Sequence, residues 1–390
     1  MRKDGDIMDN EVKEGTEATT EQTDNCGKAK KQSSLKTKML WSLVFVAIAV
    51  LTVWAITSQE GFTLASFIGF LRAQNPMWIT FAIAAMLAYV LFEALALMTI
   101  IKSFGYKAPI HRGLIYSSSD IYFSAITPSA TGGQPASAYF MMKDGIPGAV
   151  TTVALILNLV MYTFAILIIG TVSFIVRPGI FLGFPVVGKV LIIVGSICLV
   201  SLAIFFIMIL FKSHILSKIG NACLTLLSKL HIIRNVDRKR EKLACSIKSY
   251  NGYVEQLKGK QKSIVLSLLF NILQRVSVIL VTVCVFMASG GDFKMCWDIA
   301  VCQCMVILGT NVLPIPGAMG ISDYMLICAF SAIGFSETVA LNLNLVSRGI
   351  SFYSCVIICG ISLIVRLISY KVIALRKQKK IKNTDQENQK

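Results

Sequence analysis

Charge and histidine are both scarce in this 390-residue chain, and each shortage excludes something. Charged residues make up 15% of the sequence, against roughly 25% in an average soluble domain. That is too little to cover the surface of a soluble globule of this length. Only three histidines occur, His111, His214 and His231. They are scattered and form no H-E-x-x-H pair, so no zinc-hydrolase site is expected. There is no G-x-x-x-x-G-K-[ST] run, no G-x-S-x-G elbow and no dinucleotide fingerprint. A self-contained soluble enzyme site is therefore not visible, and we expect no catalytic residues, no metal site and no cofactor. The eleven cysteines do not make a disulfide framework. Most lie in apolar runs, as Cys198, Cys284, Cys328, Cys355 and Cys359 do, where they act as small hydrophobes. Cys302-Gln303-Cys304 lacks metal-ligand spacing.

What the chain has is long apolar runs. Hydrophobic residues make up 55% of it, in stretches that reach the ~20 residues a helix needs to cross a bilayer. Full spans are expected at about 39–57, 77–101, 147–176, 184–211, 263–288 and 338–369. Residues 1–38 are polar and read as a disordered tail. No small-residue cleavage site follows the first apolar run, so that run reads as an anchor and not a removed signal peptide. The net charge of +17 collects in the tails and in a polar loop at 213–262. Nucleic acid is thus not the natural partner; anionic lipid is. Part of that loop, at 216–230, is apolar at helical spacing and fits either a surface helix or an ordinary basic loop. Lys102, Lys107, His111 and Arg112 after the second span place that end in the cytoplasm. Both termini, including the basic tail at 371–390, then lie inside.

Two apolar stretches are interrupted. Ile126-Thr-Pro-Ser-Ala-Thr-Gly-Gly-Gln-Pro135 and Asn311-Val-Leu-Pro-Ile-Pro-Gly-Ala-Met-Gly320 carry too much proline and glycine for one continuous helix. Exposed to lipid, their free carbonyls would cost several kcal/mol each. Each must be buried in protein or line a wet hollow. The parity of the spans makes the first break enter from the cytoplasm and the second from outside, an inverted pair, and such a pair points to a transport site near the midplane. The expected fold is an all-α polytopic membrane helix bundle. It has about six full spans plus two re-entrant segments or, if the breaks are kinked spanning helices, eight spans.

Ionisable side chains at membrane depth need a partner or water. The candidates are Glu93, Asp120, Arg275, Asp323 and Arg348, with Gln134, Asn158, Asn271 and Gln274 as uncharged hydrogen-bonding groups. They are either structural pairs holding the bundle together or the lining of a polar cavity. In the second reading Arg275 and Arg348 suit phosphate, because the guanidinium fork matches its oxygens. Backbone N–H groups at Gly132, Gly133 and, after Pro316, from Gly317 to Gly320 add donors at half-helix starts. The carboxylates suit a cationic headgroup or hold the arginines. Asp298 and Arg366 fall near the interfaces, where charge is cheap, and receive no role.

These motifs resemble a known family. Thr127-Pro-Ser-Ala-Thr-Gly-Gly-Gln-Pro135, followed by Tyr139 and Lys143-Asp-Gly-Ile-Pro147, looks like its first signature. Pro314-Ile-Pro-Gly-Ala-Met-Gly-Ile-Ser-Asp323 is similar to its second, a P-x-P-G-x-x-G-x-x-acid run, and Arg348 falls where the family has an arginine in the following helix. The family is the transmembrane, flippase-like domain of lysylphosphatidylglycerol synthases (multiple peptide resistance factor), and the resemblance covers about residues 35–375. Its acid is usually glutamate; here it is Asp323. The resemblance implies a prokaryotic inner-membrane protein that handles phospholipids, anionic or lysyl-modified. In full-length members a cytoplasmic domain transfers lysine from charged tRNA to phosphatidylglycerol. The membrane domain then moves the product outward, which repels cationic antimicrobial peptides. We expect that soluble domain to be missing from this chain, so that lysyl transfer would need a separate aminoacyl-transferase partner. Three functions follow as expectations: a flippase-like lipid translocator, the membrane part of a phosphatidylglycerol lysyltransferase, and an unrelated solute transporter or scaffold.

Overall fold

The computed structural model describes residues 64–387 except 108, 128–129, 213, 216, 219–220, 223, 226–235, 312 and 314. The expected tail at 1–38 and first span at 39–57 lie outside the described residues, as does much of the apolar segment at 216–230. Among the described residues there is no strand, and the chain is a polytopic all-α bundle. After a short helix α1 (Leu64–Arg72), the fold is organised around two helices of equal length, α2 (Pro76–Ser103) and α9 (Gln261–Ala288), 28 residues each. At 1.5 Å per residue each is ~42 Å long, enough to cross a bilayer with its headgroups. Asn75 starts α2 by accepting the Met77 N–H on its side chain at 3.0 Å, and Pro76 occupies the first turn, where no N–H is missed.

α2 and α9 are antiparallel and in register. The Asn75 N–H donates to the Ala288 carbonyl at 2.8 Å, tying the start of α2 to the end of α9. The Lys260 ammonium donates to the Ser103 carbonyl, tying the other two ends. Between them Gln274 donates to Glu93 at 3.1 Å. Lipid supplies no hydrophobic drive between helices, so such polar contacts and close packing around Ala82, Ala94 and Ala96 hold the pair.

Each central helix is followed by a broken one that turns back. α3 (Ile110–Ile126) and α4 (Gly133–Lys143) form the first hairpin. Ser137 of α4 donates to the Tyr116 carbonyl of α3 at 3.1 Å, and Arg112 near the start of α3 lies 3.8 Å from Asp144 just past α4. Both arms therefore open on one face, here termed the Asp144 face. α10 (Cys296–Thr310) and α11 (Ile321–Ala332) form the second. The Cys302 thiol reaches the Ala329 carbonyl across it at 3.5 Å. This hairpin opens on the opposite face, where Asp298 pairs with Arg177 at 2.7 Å.

The remaining helices enclose these elements. α5 (Gly148–Val176), α6 (Pro178–Gly183) and α7 (Val186–Phe211) follow the first hairpin. α7 leaves Ile197, Val200, Ile204 and Phe211 exposed, an apolar face suited to acyl chains. After α11 the chain crosses as α12 (Glu337–Arg348), a π-helical turn (Gly349–Ser354) and α13 (Cys355–Glu387).

Two features add to the expected topology. Among the described residues six helices are long and apolar enough to cross a membrane. Five match expected spans, but the sixth, Phe293–Thr310, is the first arm of the second hairpin, which turns back at its tip. Length and apolarity alone do not distinguish it from a crossing. The stretch read as a polar loop at 213–262 also contains a 22-residue helix, α8 (Val236–Leu257). Among its described side chains the buried stripe is Tyr250, Val254 and Leu257, at helical spacing within an otherwise polar segment. The Tyr250 hydroxyl donates to the Ile209 and Leu210 carbonyls at 3.3 and 3.4 Å, serving the unpaired end of α7. Burial pushes this phenol up to about 12, so it remains a donor throughout the physiological range.

Candidate functional site

The two hairpin tips meet the central pair midway along its length and leave a hollow between them. The cavity has a volume of about 250 Å³, just under the ~300–1,000 Å³ of pockets that enclose a whole drug-sized ligand. Ser124, Ala125 and Ala130 line it from the first tip, and Leu313, Ile315, Gly317 and Ala318 from the second. Arg275 of α9 and Arg348 of α12 both line it, and among the described residues no carboxylate does. Non-helical backbone at this depth is tolerated because it faces a polar hollow and not acyl chains.

Both tips turn through left-handed backbone. Ala130 (φ 53°) serves the first, and Gly317 (φ 59°), Ala318 (φ 48°) and Gly320 (φ 80°) serve the second. An alanine in this region costs ~1–2 kcal/mol, and such strain gathers at functional sites. Gly317 has a further reason to lack a side chain. A Cβ there would lie 2.3 Å from the Phe352 ring, and that ring stacks 4.9 Å from the Arg348 guanidinium. The π-helical turn directly after Arg348 sets Ser351 and Phe352 toward the same cavity.

The second tip is held by charge. Asp323, near the start of α11, accepts from Arg348 Nε at 3.0 Å and Asn344 Nδ2 at 3.2 Å on one oxygen. Its other oxygen accepts the Gly320 N–H at 3.0 Å. Arg348 also donates to the Gly317 carbonyl at 3.2 Å. The first tip is held by neutral bonds. Asp120 of α3 accepts from Gln134 of α4 at 2.9 Å, across the break, and from Ser124 at 3.2 Å. Gly133 lies flat on this group, since a Cβ there would be 1.9 Å from the Asp120 carboxyl. The Asp120 carboxyl also lies within hydrogen-bonding reach of that of Glu93 on α2.

Arg275 sits differently from Arg348. Its guanidinium reaches the hydroxyls of Tyr89 and Tyr162 at 3.3 and 3.4 Å and lies over both rings. Among the described residues no carboxylate lies within 4 Å of it, and its Nε has no hydrogen-bond partner. It is a buried cation, 7% exposed, held by aromatic faces.

Of the residues singled out from the sequence, the structure brings Arg275, Arg348 and Gly317 into one cavity. Asp323 stands behind Arg348. Glu93, Asp120, Gly133 and Gln134 form a second, buried cluster. The carboxylates thus support the walls and do not line the hollow. The Gly132 and Gly320 N–H groups are already taken, by the Thr127 hydroxyl at 2.8 Å and by Asp323; they are not free donors. Pro316 opens the 3-10 turn at the second tip. Asn158 and Asn271 bond each other at 3.1 Å, joining α5 to α9 away from the cavity.

Sequence reasoning missed two features. Tyr89 and Tyr162, which cradle Arg275, read as ordinary core aromatics. At the Asp144 face, Asp144 is the hub of a cluster. Arg366 of α13 donates to both its oxygens at 2.8 and 3.1 Å, Tyr370 donates at 2.5 Å and Tyr116 at 3.0 Å. The Asp in the Lys143-Asp-Gly-Ile-Pro147 run was the available signal.

No curated protein sequence matches the chain. The family described as lysylphosphatidylglycerol synthase TM region matches residues 39–359. That match takes in both hairpins, both cavity arginines and most of the bundle, so this chain belongs to the lysylphosphatidylglycerol synthase transmembrane family.

Proposed function

We propose that this protein moves a phospholipid between leaflets and receives the headgroup phosphate in the cavity between the two hairpin tips. The observation behind this reading is the lining: two guanidinium groups, no carboxylate among the described residues, and a volume of about 250 Å³. That volume suits a headgroup, leaving the acyl chains in the bilayer. Guanidinium forks match phosphate oxygens in geometry. Because the carboxylates stand behind the arginines, an anionic phospholipid fits better than direct acid-to-lysine recognition of a lysyl headgroup. Opposed hairpins around a midplane site suit alternating access by rocking of one half against the other. Lys102, Arg112, Lys143, Lys258, Lys260 and Arg366 lie toward the Asp144 face, which supports placing that face in the cytoplasm of a prokaryotic cell.

Reconstituted vesicles with fluorescent phosphatidylglycerol test this. We expect leaflet exchange in the wild type and at least a tenfold loss in Arg275→Gln and Arg348→Gln. Wild-type rates in both variants, with folding intact, would remove the assignment. A second reading follows from the family's description as a synthase: the chain is the membrane component of a lysyl-lipid synthase, with a separate aminoacyl-transferase partner. Lipid extracts of a host expressing this chain alone, and with such a partner, separate the two.

A further inference from the structure

The buried cluster behind the cavity has a feature that phosphate binding does not use. Glu93 and Asp120 lie within hydrogen-bonding reach of each other, carboxyl to carboxyl. Two carboxylates carry only acceptors, so a bond between them requires a proton. Neither acid has an ion-pair partner within 4 Å among the described residues. Their other contacts are with Gln274, Gln134 and Ser124. A second observation points to the same ligand. Gln274 and Gln134 each donate an amide N–H to one of the acids, yet the amide oxygen of each is buried without a partner. Gln274 is 1% exposed, so its unpartnered oxygen is a dry acceptor on the same side chain that reaches Glu93, in a cluster short of protons to donate.

The third element is Arg275. It lines the cavity, is 7% exposed and has an unpartnered Nε. Glu93 is the acid whose field it feels. The other titratable groups facing the pair are Tyr89 on α2 and Cys355 and Cys359 on α13. Tyr162 of α5 faces Arg275. None of these supplies a second cation.

We propose that the Glu93–Asp120 pair is a proton-binding site linked to anion binding at Arg275, so that one proton and one lipid phosphate bind together. With the shared proton in place, Arg275 has no ionised partner in contact and its charge is available to the cavity. When the proton leaves, two carboxylates are left in contact and repel. Glu93 then gains by turning to Arg275, which withdraws the guanidinium from the phosphate. Asp120 loses one of the contacts that brace the first hairpin against α2. Linkage is reciprocal: whatever the proton does for the anion, the anion does for the proton. Binding one proton with one phosphate monoanion is electroneutral, so this stoichiometry couples transport to a proton gradient without moving net charge.

The inference rests on the cavity being a phosphate site, and the test separates the two claims. The purified full-length chain in detergent is titrated with short-chain phosphatidylglycerol from about pH 5 to about pH 9, a range chosen to straddle raised carboxyl titrations. In parallel, a pH dye in weak buffer counts protons taken up on lipid addition. We expect wild-type affinity to fall by up to tenfold per pH unit above the titration of the pair. Proton uptake should approach one per lipid bound. Glu93→Gln and Asp120→Asn, which keep the hydrogen-bonding shape, should bind with a flat pH profile and no proton uptake. Arg275→Gln should lose binding at every pH. If Arg275→Gln loses binding but wild-type affinity is flat, or if Glu93→Gln keeps the wild-type slope, the proton proposal fails and the phosphate site stands. If Arg275→Gln binds like wild type, or the wild type does not bind the lipid at all, both fail. The protonated-carboxyl C=O stretch in infrared pH titrations gives a lipid-independent check. It should be present in the wild type at neutral pH and lost in Glu93→Gln; its absence from the wild type overturns the proposal.

Discussion

The two hairpins are built alike and held differently. Each turns at a tip with an alanine in left-handed backbone, Ala130 in one and Ala318 in the other. Each has an acid on an arm near the tip that accepts hydrogen bonds closing the turn, Asp120 and Asp323. Asp323 meets a full opposite charge in Arg348, whereas Asp120 meets an amide, a hydroxyl and another acid. The second tip is therefore locked by an ion pair, and the first depends on neutral bonds and a proton. In a low-dielectric setting these differ sharply in what happens when one member is removed.

The largest effect should come from the locked side. Asp323→Ala leaves Arg348, 15% exposed, without its counter-charge, and we expect a loss of about 3 kcal/mol. It would be read as a marked fall in the midpoint of thermal inactivation in detergent. Replacing both partners, Asp323→Leu with Arg348→Met, should recover much of it. Next is Gly133→Ala, whose new Cβ would lie 1.9 Å from the Asp120 carboxyl and 2.7 Å from its carbonyl. The hairpin arms must separate, at a cost of about 1–3 kcal/mol or more. Crosslinking between cysteines placed at Ser124 and Ala136, with the native cysteines replaced, would report the widened gap. Asp120→Ala removes an acceptor of neutral bonds and should cost about 1–3 kcal/mol; a loss equal to that of Asp323→Ala would erase the contrast drawn between the tips. Smallest are Ala130→Gly and Ala318→Gly. Each relieves left-handed strain and should stabilise by up to about 1 kcal/mol, measured in the same thermal assay. If relief at a tip also slows lipid exchange, the strain has a part in transport.

Much of this was legible beforehand, and for identifiable reasons. An apolar window of span length is a signal that side-chain detail cannot disguise, and five of the expected spans recur as helices. The breaks were visible because proline and glycine state their backbone demands in the sequence, and the hairpins turn where those residues fall. Partners were harder. The Asp323–Arg348 link spans two short helices and the loop between them, 25 residues, whereas Glu93–Gln274 joins residues 181 apart in sequence. Only the antiparallel register of α2 and α9 brings the latter together. Arg366 was dismissed as a snorkelling residue because its depth was visible and its target, Asp144, was not. Tyr89 and Tyr162 were passed over because an aromatic in an apolar run gives no sign that a cation lies on its face.

Two rods pinned together at both tips cannot slide past each other; they can only pivot or roll. Asn75 to Ala288 at one end and Lys260 to Ser103 at the other fasten the central helices in this way. Shape changes must then be sought in the hairpins swinging about a fixed axle, one from each surface. Since the two hang from opposite surfaces, the fold has no built-in forward stroke, and in the transport proposed above direction would come from whichever gradient the cargo or its co-travelling ion descends.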